Sequence, residues 1–386
     1  MSASDATLLT HGRLGDLLPI KYGKSLPDRL RDPNGTVPVF GSSGLVGIHT
    51  EALTQGPALI VGRKGSVGSV YFSEVPCWPI DTVYFTEAAA GQNLRYFKYL
   101  LDSLRLVQLN KSTAVPGLSR DDYNAVTVAV APPQQQSEIV AEIEKQFSRL
   151  DEAVANLQRV KANLRRYEVG TLRALVCGQD AAPESGEGLE LPRGWQWKAL
   201  PELGELSRGK SKHRPRDDPR LYGGPYPFIQ TGDVRRSGGR IRDFAQTYSD
   251  FGLNQSRLWP AGTLCITIAA NIAETGILTM PACFPDSVVG FRSNDTALTR
   301  FVEFFMRTAR EDLERFAPAT AQKNINLAVL ERVVVPVPPS GERERIVAEV
   351  DRRLSIVREV EAEIDANLKR AQALRQAVLQ RAFALA

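Results

Sequence analysis

Metal-binding chemistry has little to draw on in this sequence. The three histidines (His11, His49, His213) and four cysteines (Cys77, Cys177, Cys265, Cys283) are widely spaced, with no C-x-x-C pair. Such spacing argues against structural zinc and against a disulfide framework. Long apolar runs are also missing. No stretch approaches the roughly 18 to 20 apolar residues of a membrane-spanning helix, and the start, Met1-Ser-Ala-Ser-Asp, lacks the basic-then-apolar layout of a secretory signal. The cytoplasm is the expected location, with no membrane partner. A strong excess of one charge is absent too: 48 Lys+Arg stand against 44 Asp+Glu, a formal +4 with a pI near 8.8. That balance permits a nucleic-acid partner without requiring one.

Catalytic signatures are equally sparse. An amino-methyltransferase would need an Asn/Asp-Pro-Pro-aromatic tetrapeptide, but Pro132-Pro133 and Pro338-Pro339 follow Ala and Val and precede Gln and Ser. The tight G-x-G at Gly186-Glu-Gly188 lies in an acidic stretch, and no lysine has an acidic residue two positions before it, as a restriction-type nuclease would need. No G-x-S-x-G elbow occurs. Gly204-Glu-Leu-Ser-Arg-Gly209-Lys210-Ser211 does satisfy the Walker A pattern. A phosphate loop must open a helix, however, and Lys212-His-Arg-Pro-Arg-Asp-Asp-Pro follows, with prolines that oppose one.

What is present is an internal repeat. A chain of 386 residues with 43% hydrophobic content can build two ordinary domains, and its halves carry the same landmarks in the same order. Tyr22-Gly-Lys-Ser corresponds to Arg208-Gly-Lys-Ser, Cys77-Trp-Pro to Cys283-Phe-Pro, and the junction from Pro132-Pro133 into Ile139-Val-Ala-Glu-Ile to that from Pro338-Pro339 into Ile346-Val-Ala-Glu-Val. A period near 200 residues means a duplicated domain, not a solenoid.

Within each copy, short β-type runs (58–61, 69–72, 81–85, 126–130, and later 263–268 and 332–337) are separated by glycine and proline turns, with helices expected near 93–106 and 299–316. A long helix follows each β-rich part. From Ser137 to about Cys177, apolar residues recur by threes and fours at Ile143, Phe147, Leu150, Val154, Leu157 and Leu164, with Lys161 as an interruption; the second copy repeats the frame at Val350, Leu354, Val357, Ile364, Leu368 and Ala371, interrupted at Glu361. Two matching heptad stripes are expected to pair as a coiled coil about 60 Å long. The fold class is therefore α+β: two tandem β-rich domains (1–133 and 193–337), two long helices (134–178 and 338–386) pairing antiparallel, and a linker at 179–192.

Charge is concentrated in one place. Between Arg208 and Arg242 there are ten Lys/Arg against three Asp, interleaved with Tyr222, Tyr226, Gln230, Thr231 and glycines. Such a stretch can neutralise phosphates and present amides to base edges, the plainer alternative being a solvated charged surface.

Taken in order and twice over, these landmarks resemble the specificity subunits of type I restriction-modification systems. The resemblance spans the full length and rests on the Gly-Lys-Ser turns at Gly23 and Gly209, Arg63-Lys-Gly-Ser-Val-Gly, Leu191-Pro-Arg-Gly-Trp-Gln-Trp and the two Pro-Pro-to-helix junctions. The second copy departs at Ala269-Ala-Asn-Ile-Ala-Glu-Thr-Gly, and the first lacks the Gly-Trp entry. The resemblance implies target-recognition domains that each read half of a split, asymmetric site on double-stranded DNA. It also implies helices that dock two methyltransferase subunits, and restriction/translocase subunits where cleavage occurs. S-adenosylmethionine, ATP and Mg would belong to those partners; this chain would bind no cofactor or metal and carry no catalytic residue. Expected DNA contacts are Lys24, Ser25, Arg63, Lys64, Ser66, Asn110 and Lys111 in the first copy. In the second they are Lys210, Ser211, Lys212, Arg214, Gln230, Thr231, Asn271, Lys323 and Asn324. Tyr84-Phe85 and Trp195/Trp197 are expected in a core or interface, and Cys77 and Cys283 as small buried residues.

Overall fold

The computed structural model describes residues 9–87, 91–110, 116–177, 191–269, 272–310, 313 and 325–384. The expected linker falls almost wholly outside them, as do Lys111, Asn271, Lys323 and Asn324. Two compact units emerge: residues 1–159 with 364–386, and residues 160–363.

The first unit runs β1 (Thr10–Arg13), α1 (Leu14–Leu17), β2 (Lys21–Tyr22), β3 (Val37–Gly41), β4 (Gly44–His49), β5 (Ala58–Gly62), β6 (Val70–Ser73), β7 (Trp78–Pro79), β8 (Val83–Glu87), α2 (Leu94–Ser103), α3 (Arg120–Ala125), β9 (Thr127–Val130) and the opening of α4 (Pro133–Val176). Its main sheet is ordered β2-β8-β5-β6, all antiparallel, beside a β4-β3-β7 sheet. The strand β5 shows why a continuous apolar run can be a strand: successive side chains face opposite sides. Leu59 and Val61 enter the core under α2, while Ala58 and Ile60 pack with Cys77 and Val83 on the other face.

The second unit runs β10 (Gln196–Ala199), α5 (Leu200–Leu203), β11 (Glu205–Arg208), β12 (Tyr222–Phe228), α6 (Thr231–Arg236), β13 (Gly239–Ile241), β14 (Gln246–Tyr248), α7 (Asp250–Asn254), β15 (Leu264–Thr267), β16 (Thr275–Leu278), β17 (Val288–Arg292), α8 (Thr296–Thr308), α9 (Leu327–Glu331), β18 (Val334–Val337) and most of α10 (Ser340–Ala384). Its sheet, β11-β17-β15-β16-β13, repeats the first unit's order and adds β13, parallel to β16, at the edge. The duplication extends to single bonds. Asn93 caps α2 by accepting from the Tyr96 amide, and Asp295 caps α8 by accepting from that of Leu298. Arg95 reaches Glu144 at 3.0 Å, and Arg300 reaches Asp351 at 2.6 Å.

The long helices form where the heptad stripes lie. The first begins at Pro133, one residue before the expected 134, because a proline at the first helical position forfeits no hydrogen bond. In the first unit the start of α4 packs antiparallel on the end of α10: Ile143 and Phe147 are buried with Leu379, and Arg375 reaches Asp151 at 2.6 Å and lies over the Phe147 ring. In the second unit Leu172 and Val176 of α4 share a core with Val350 and Leu354 of α10, Trp195 and Phe301. Val357 and Ile364 are buried on their own units' stripes, while Leu150, Leu157, Leu164 and Leu368 are half-buried. The helix α8 ends at Thr308; 311–312 and 314–316 of the expected helix lie outside the described residues.

Candidate nucleic-acid interface

The Gly-Lys-Ser turn makes the corresponding pair of backbone bonds in both units, with its partners offset by one residue along the Cys-aromatic-Pro segment. Gly23 N–H donates to Val83 O at 3.1 Å and Lys24 N–H to Pro79 O at 3.0 Å; in the second unit Gly209 N–H donates to Val288 O at 2.9 Å and Lys210 N–H to Phe284 O at 3.1 Å. A Cβ on Gly23 would lie 2.0 Å from Ile80 O, and one on Gly209 would lie 2.3 Å from Phe284 O. The glycines are required because backbone packs on backbone, and the two sequence landmarks, Gly-Lys-Ser and Cys-aromatic-Pro, are the two halves of one joint. This corrects the Walker-like appearance: Glu205–Arg208 is a strand paired with β17, and no helix follows. Ser211, also an expected DNA contact, faces inward. It is 8% exposed, with Oγ 3.2 Å from the Tyr248 hydroxyl, so its polar group is engaged inside the fold. Ser25 is exposed, and Lys24 projects over the Trp78 ring at 5.7 Å.

In the first unit the expected residues Arg63, Lys64 and Asn110 meet two that the sequence reading passed over, Tyr22 and Arg120. The Arg63 amide donates to Thr82 O, its carbonyl accepts from Leu118 N–H at 2.9 Å, and Lys64 bridges to Gly117, whose amide donates to the Asn110 side chain at 3.1 Å. Arg63-Lys-Gly-Ser-Val-Gly is a tight loop, with Gly65 at φ +76° and Gly68 at φ +75° and Ser66 exposed at its tip. The Arg63 guanidinium lies 5.3 Å from the Tyr22 ring and 5.9 Å from that of Tyr84, with Arg120 at 5.9 Å from Tyr22. Together they line a cavity of about 480 Å³. Among the described residues no carboxylate pairs with Arg63, Lys64 or Arg120. Aromatic faces fix the two guanidiniums without neutralising them. The Tyr84 phenol, donating to Leu118 O at 3.0 Å, is pushed up to about 12 by burial and by Tyr22.

In the second unit most of the basic stretch is internally committed. Arg216 pairs with Asp286 at 3.0 Å, Arg236 with Asp233 at 2.7 Å and Arg220 with Asp218 at 2.7 Å. Hydrogen bonds from Arg220 and His213 hold the Asp218 carboxyl well below the usual range. Arg214, although exposed, donates to Ser211 O and His213 O. Lys210, Lys212, Arg240 and Arg242 have no ion-pair partner among the described residues. Gln230 is exposed and half-buried Thr231 opens α6; Gln230 Nε2 donates to Gln246 Oε1 at the rim of an open cleft. Arg240 and Arg242 close the basic stretch that the sequence singles out, whereas nothing in the local sequence of Gln246 or Arg120 sets them apart.

Tyr84 and Phe85 are buried, as are Cys77 and Cys283, whose thiols are pushed up by burial; Trp195 is buried and Trp197 is 44% exposed. Among the described residues no group of His, Cys, Asp or Glu could hold a metal ion, and no helix is long and apolar enough to cross a membrane.

The fold is a duplicated β-rich domain with uncommitted cations beside aromatic and amide groups, each copy feeding a long helix: a two-module protein whose surfaces suit an anionic polymer. Comparison with known proteins makes the class specific. The chain belongs to the family described as type I restriction modification DNA specificity domain, whose model matches residues 10–162 and again 192–370. It is 19% identical to the type I restriction enzyme EcoDI specificity subunit of Escherichia coli over 96% of this chain and 86% of that one, and 21% identical to the EcoKI specificity subunit of strain K12 over 72% and 61%. The fold is that of a chain solved in a study of complex assembly and conformational transition of the type I R-M system (TM-score 0.75, 17% identity, 99% of both chains). The HsdS subunit of Thermoanaerobacter tengcongensis is also similar (TM-score 0.53, 18% identity, 97% and 96%).

Proposed function

We propose that this type I specificity subunit reads a bipartite, asymmetric site on double-stranded DNA. Its two recognition domains, residues 1–133 and 193–337, each take one half-site. The helices at 134–178 and 338–386 space the domains and dock two methyltransferase subunits. Restriction/translocase subunits join where cleavage occurs. The chain is non-catalytic and binds no cofactor: S-adenosylmethionine serves the methyltransferase partners, and ATP and Mg serve the translocase.

The observation that carries this reading is the repeated joint. Two domains with one shared backbone frame present different polar surfaces, Tyr22/Arg63/Lys64/Arg120 in one and Lys210/Lys212/Gln230/Gln246 in the other. A common scaffold with divergent surfaces is what reading two unlike half-sites requires. The test is to map methylated adenines in cells carrying the partner subunits with and without this chain. A single split motif that vanishes with the chain supports the proposal, and an unchanged methylation pattern contradicts it.

A further inference from the structure

In the second unit, Gln230 lies two residues beyond β12, just before α6, and Gln246 stands at the start of β14, opposite Phe228 in the ladder. Both are exposed. Each backbone is anchored separately: Gln230 N–H donates to Asp233 Oδ2 at 2.9 Å, and Gln246 lies in the strand pair. The side chains are therefore free to serve something other than the fold, since an exposed amide–amide bond adds little stability.

Their mutual bond, Gln230 Nε2 to Gln246 Oε1, leaves the Gln246 Nε2 donor and the Gln230 Oε1 acceptor uncommitted. Both face an open cleft of about 670 Å³ whose rim also carries Tyr222, Gly223, Arg216 and Asp217. Arg216 is held on both carboxylate oxygens of Asp286, at 3.0 and 3.3 Å, which leaves the two amides as the cleft's uncommitted hydrogen-bond donors, beside the Asp217 carboxylate. Leading into β14, Arg240 and Arg242 offer unpaired cations and Phe244 is 39% exposed.

We propose that Gln230 and Gln246 form a paired-amide reader for an adenine·thymine base pair in the major groove. The proposal rests on the DNA-reading role above and assigns part of it. Adenine's major-groove edge shows one acceptor, N7, beside one donor, the N6 amine, and matches the pair's free donor and acceptor. Guanine shows two acceptors and would set O6 or N7 against Gln230 Oε1. Gln230 also acts as a positioning residue, because its bond fixes which end of the Gln246 amide faces outward.

The experiment is selection from a randomised duplex library by the full chain, comparing wild type with Gln246→Ala, Gln230→Ala and Gln246→Glu. Wild type is expected to select adenine at one position of one half-site. Both alanine variants should lose about tenfold or more of that preference, with the other positions and the salt dependence unchanged. Gln246→Glu should move the preference toward cytosine, whose N4 amine donates to a carboxylate. Replacing that adenine with 7-deazaadenine should weaken wild type and leave Gln246→Ala indifferent; this also reads out the proposal if a variant fails to fold. Variants that keep the wild-type profile, or weaken all sequences equally, overturn it, as does indifference of wild type to 7-deazaadenine. No sequence selectivity in wild type would instead refute the DNA-reading role itself.

Discussion

Changing Lys210 and Lys212 to Ala tests whether the Gly-Lys-Ser joint presents its lysines to DNA. Neither ammonium pairs with a carboxylate among the described residues, and the backbone at Lys210 is fixed to Phe284 O at 3.1 Å, so the loop should keep its shape without them. Each phosphate contact contributes about 0.9 to the slope of log affinity against log salt. Losing two should flatten that slope by about 1.8, and over a fourfold rise in salt the variant should lose roughly tenfold less affinity than wild type. Arg214 should behave differently. Its guanidinium is bonded to Ser211 O and His213 O, so Arg214→Ala should flatten the slope by well under about 0.9 while loosening the loop. The assay is titration of fluorescent duplex at several salt concentrations. A slope unchanged in the double variant would place this loop away from DNA, and a full unit lost with Arg214 alone would refute the reasoning on its internal bonds.

Further expectations concern the scaffold. Gly209→Ala forces a Cβ to within 2.3 Å of Phe284 O and 2.4 Å of Pro285 O, and should cost about 2 kcal/mol or more in thermal unfolding; an unchanged melting temperature would contradict the joint. Arg300→Ala strands Glu303, wholly buried, and Asp351, and should cost about 3–5 kcal/mol in denaturant titration, with Arg300→Met milder because no cavity forms. Burial pushes the Glu303 carboxyl above its ordinary range against the pull of Arg300 and Arg307. The folded state then keeps a proton that the unfolded state releases, so stability falls as pH rises from the ordinary glutamate value through the raised one. Glu303→Gln should flatten that decline, and a stability profile identical to wild type would be inconsistent with the raised value.

The parts of the fold that announce themselves locally were legible. The heptad stripes set Ile143, Phe147, Val350 and Leu354 on buried faces, and the run Ala58-Leu-Ile-Val is an inner strand of its sheet. The interface was legible only in part, because contact residues are defined by what stands beside them. Gly-Lys-Ser reads equally as a phosphate loop or a packing joint; the deciding carbonyls, Pro79 and Phe284, belong to distant segments. Ser211 looked available from its neighbours, yet Tyr248 closes over it. Tyr22 served only as a landmark, and its pairing with Arg63 and Arg120 exists only once β2, β5 and α3 are brought together.

The central claim is that one β-rich domain reads one half-site. Its most direct measurement is the adenine methylation map of cells expressing the partner subunits with a chain in which residues 193–337 are replaced by a second copy of the first domain. With both domains alike, the motif should become a palindrome built from the first half-site alone. A motif that stays asymmetric, or that still requires the second half-site, would contradict the account.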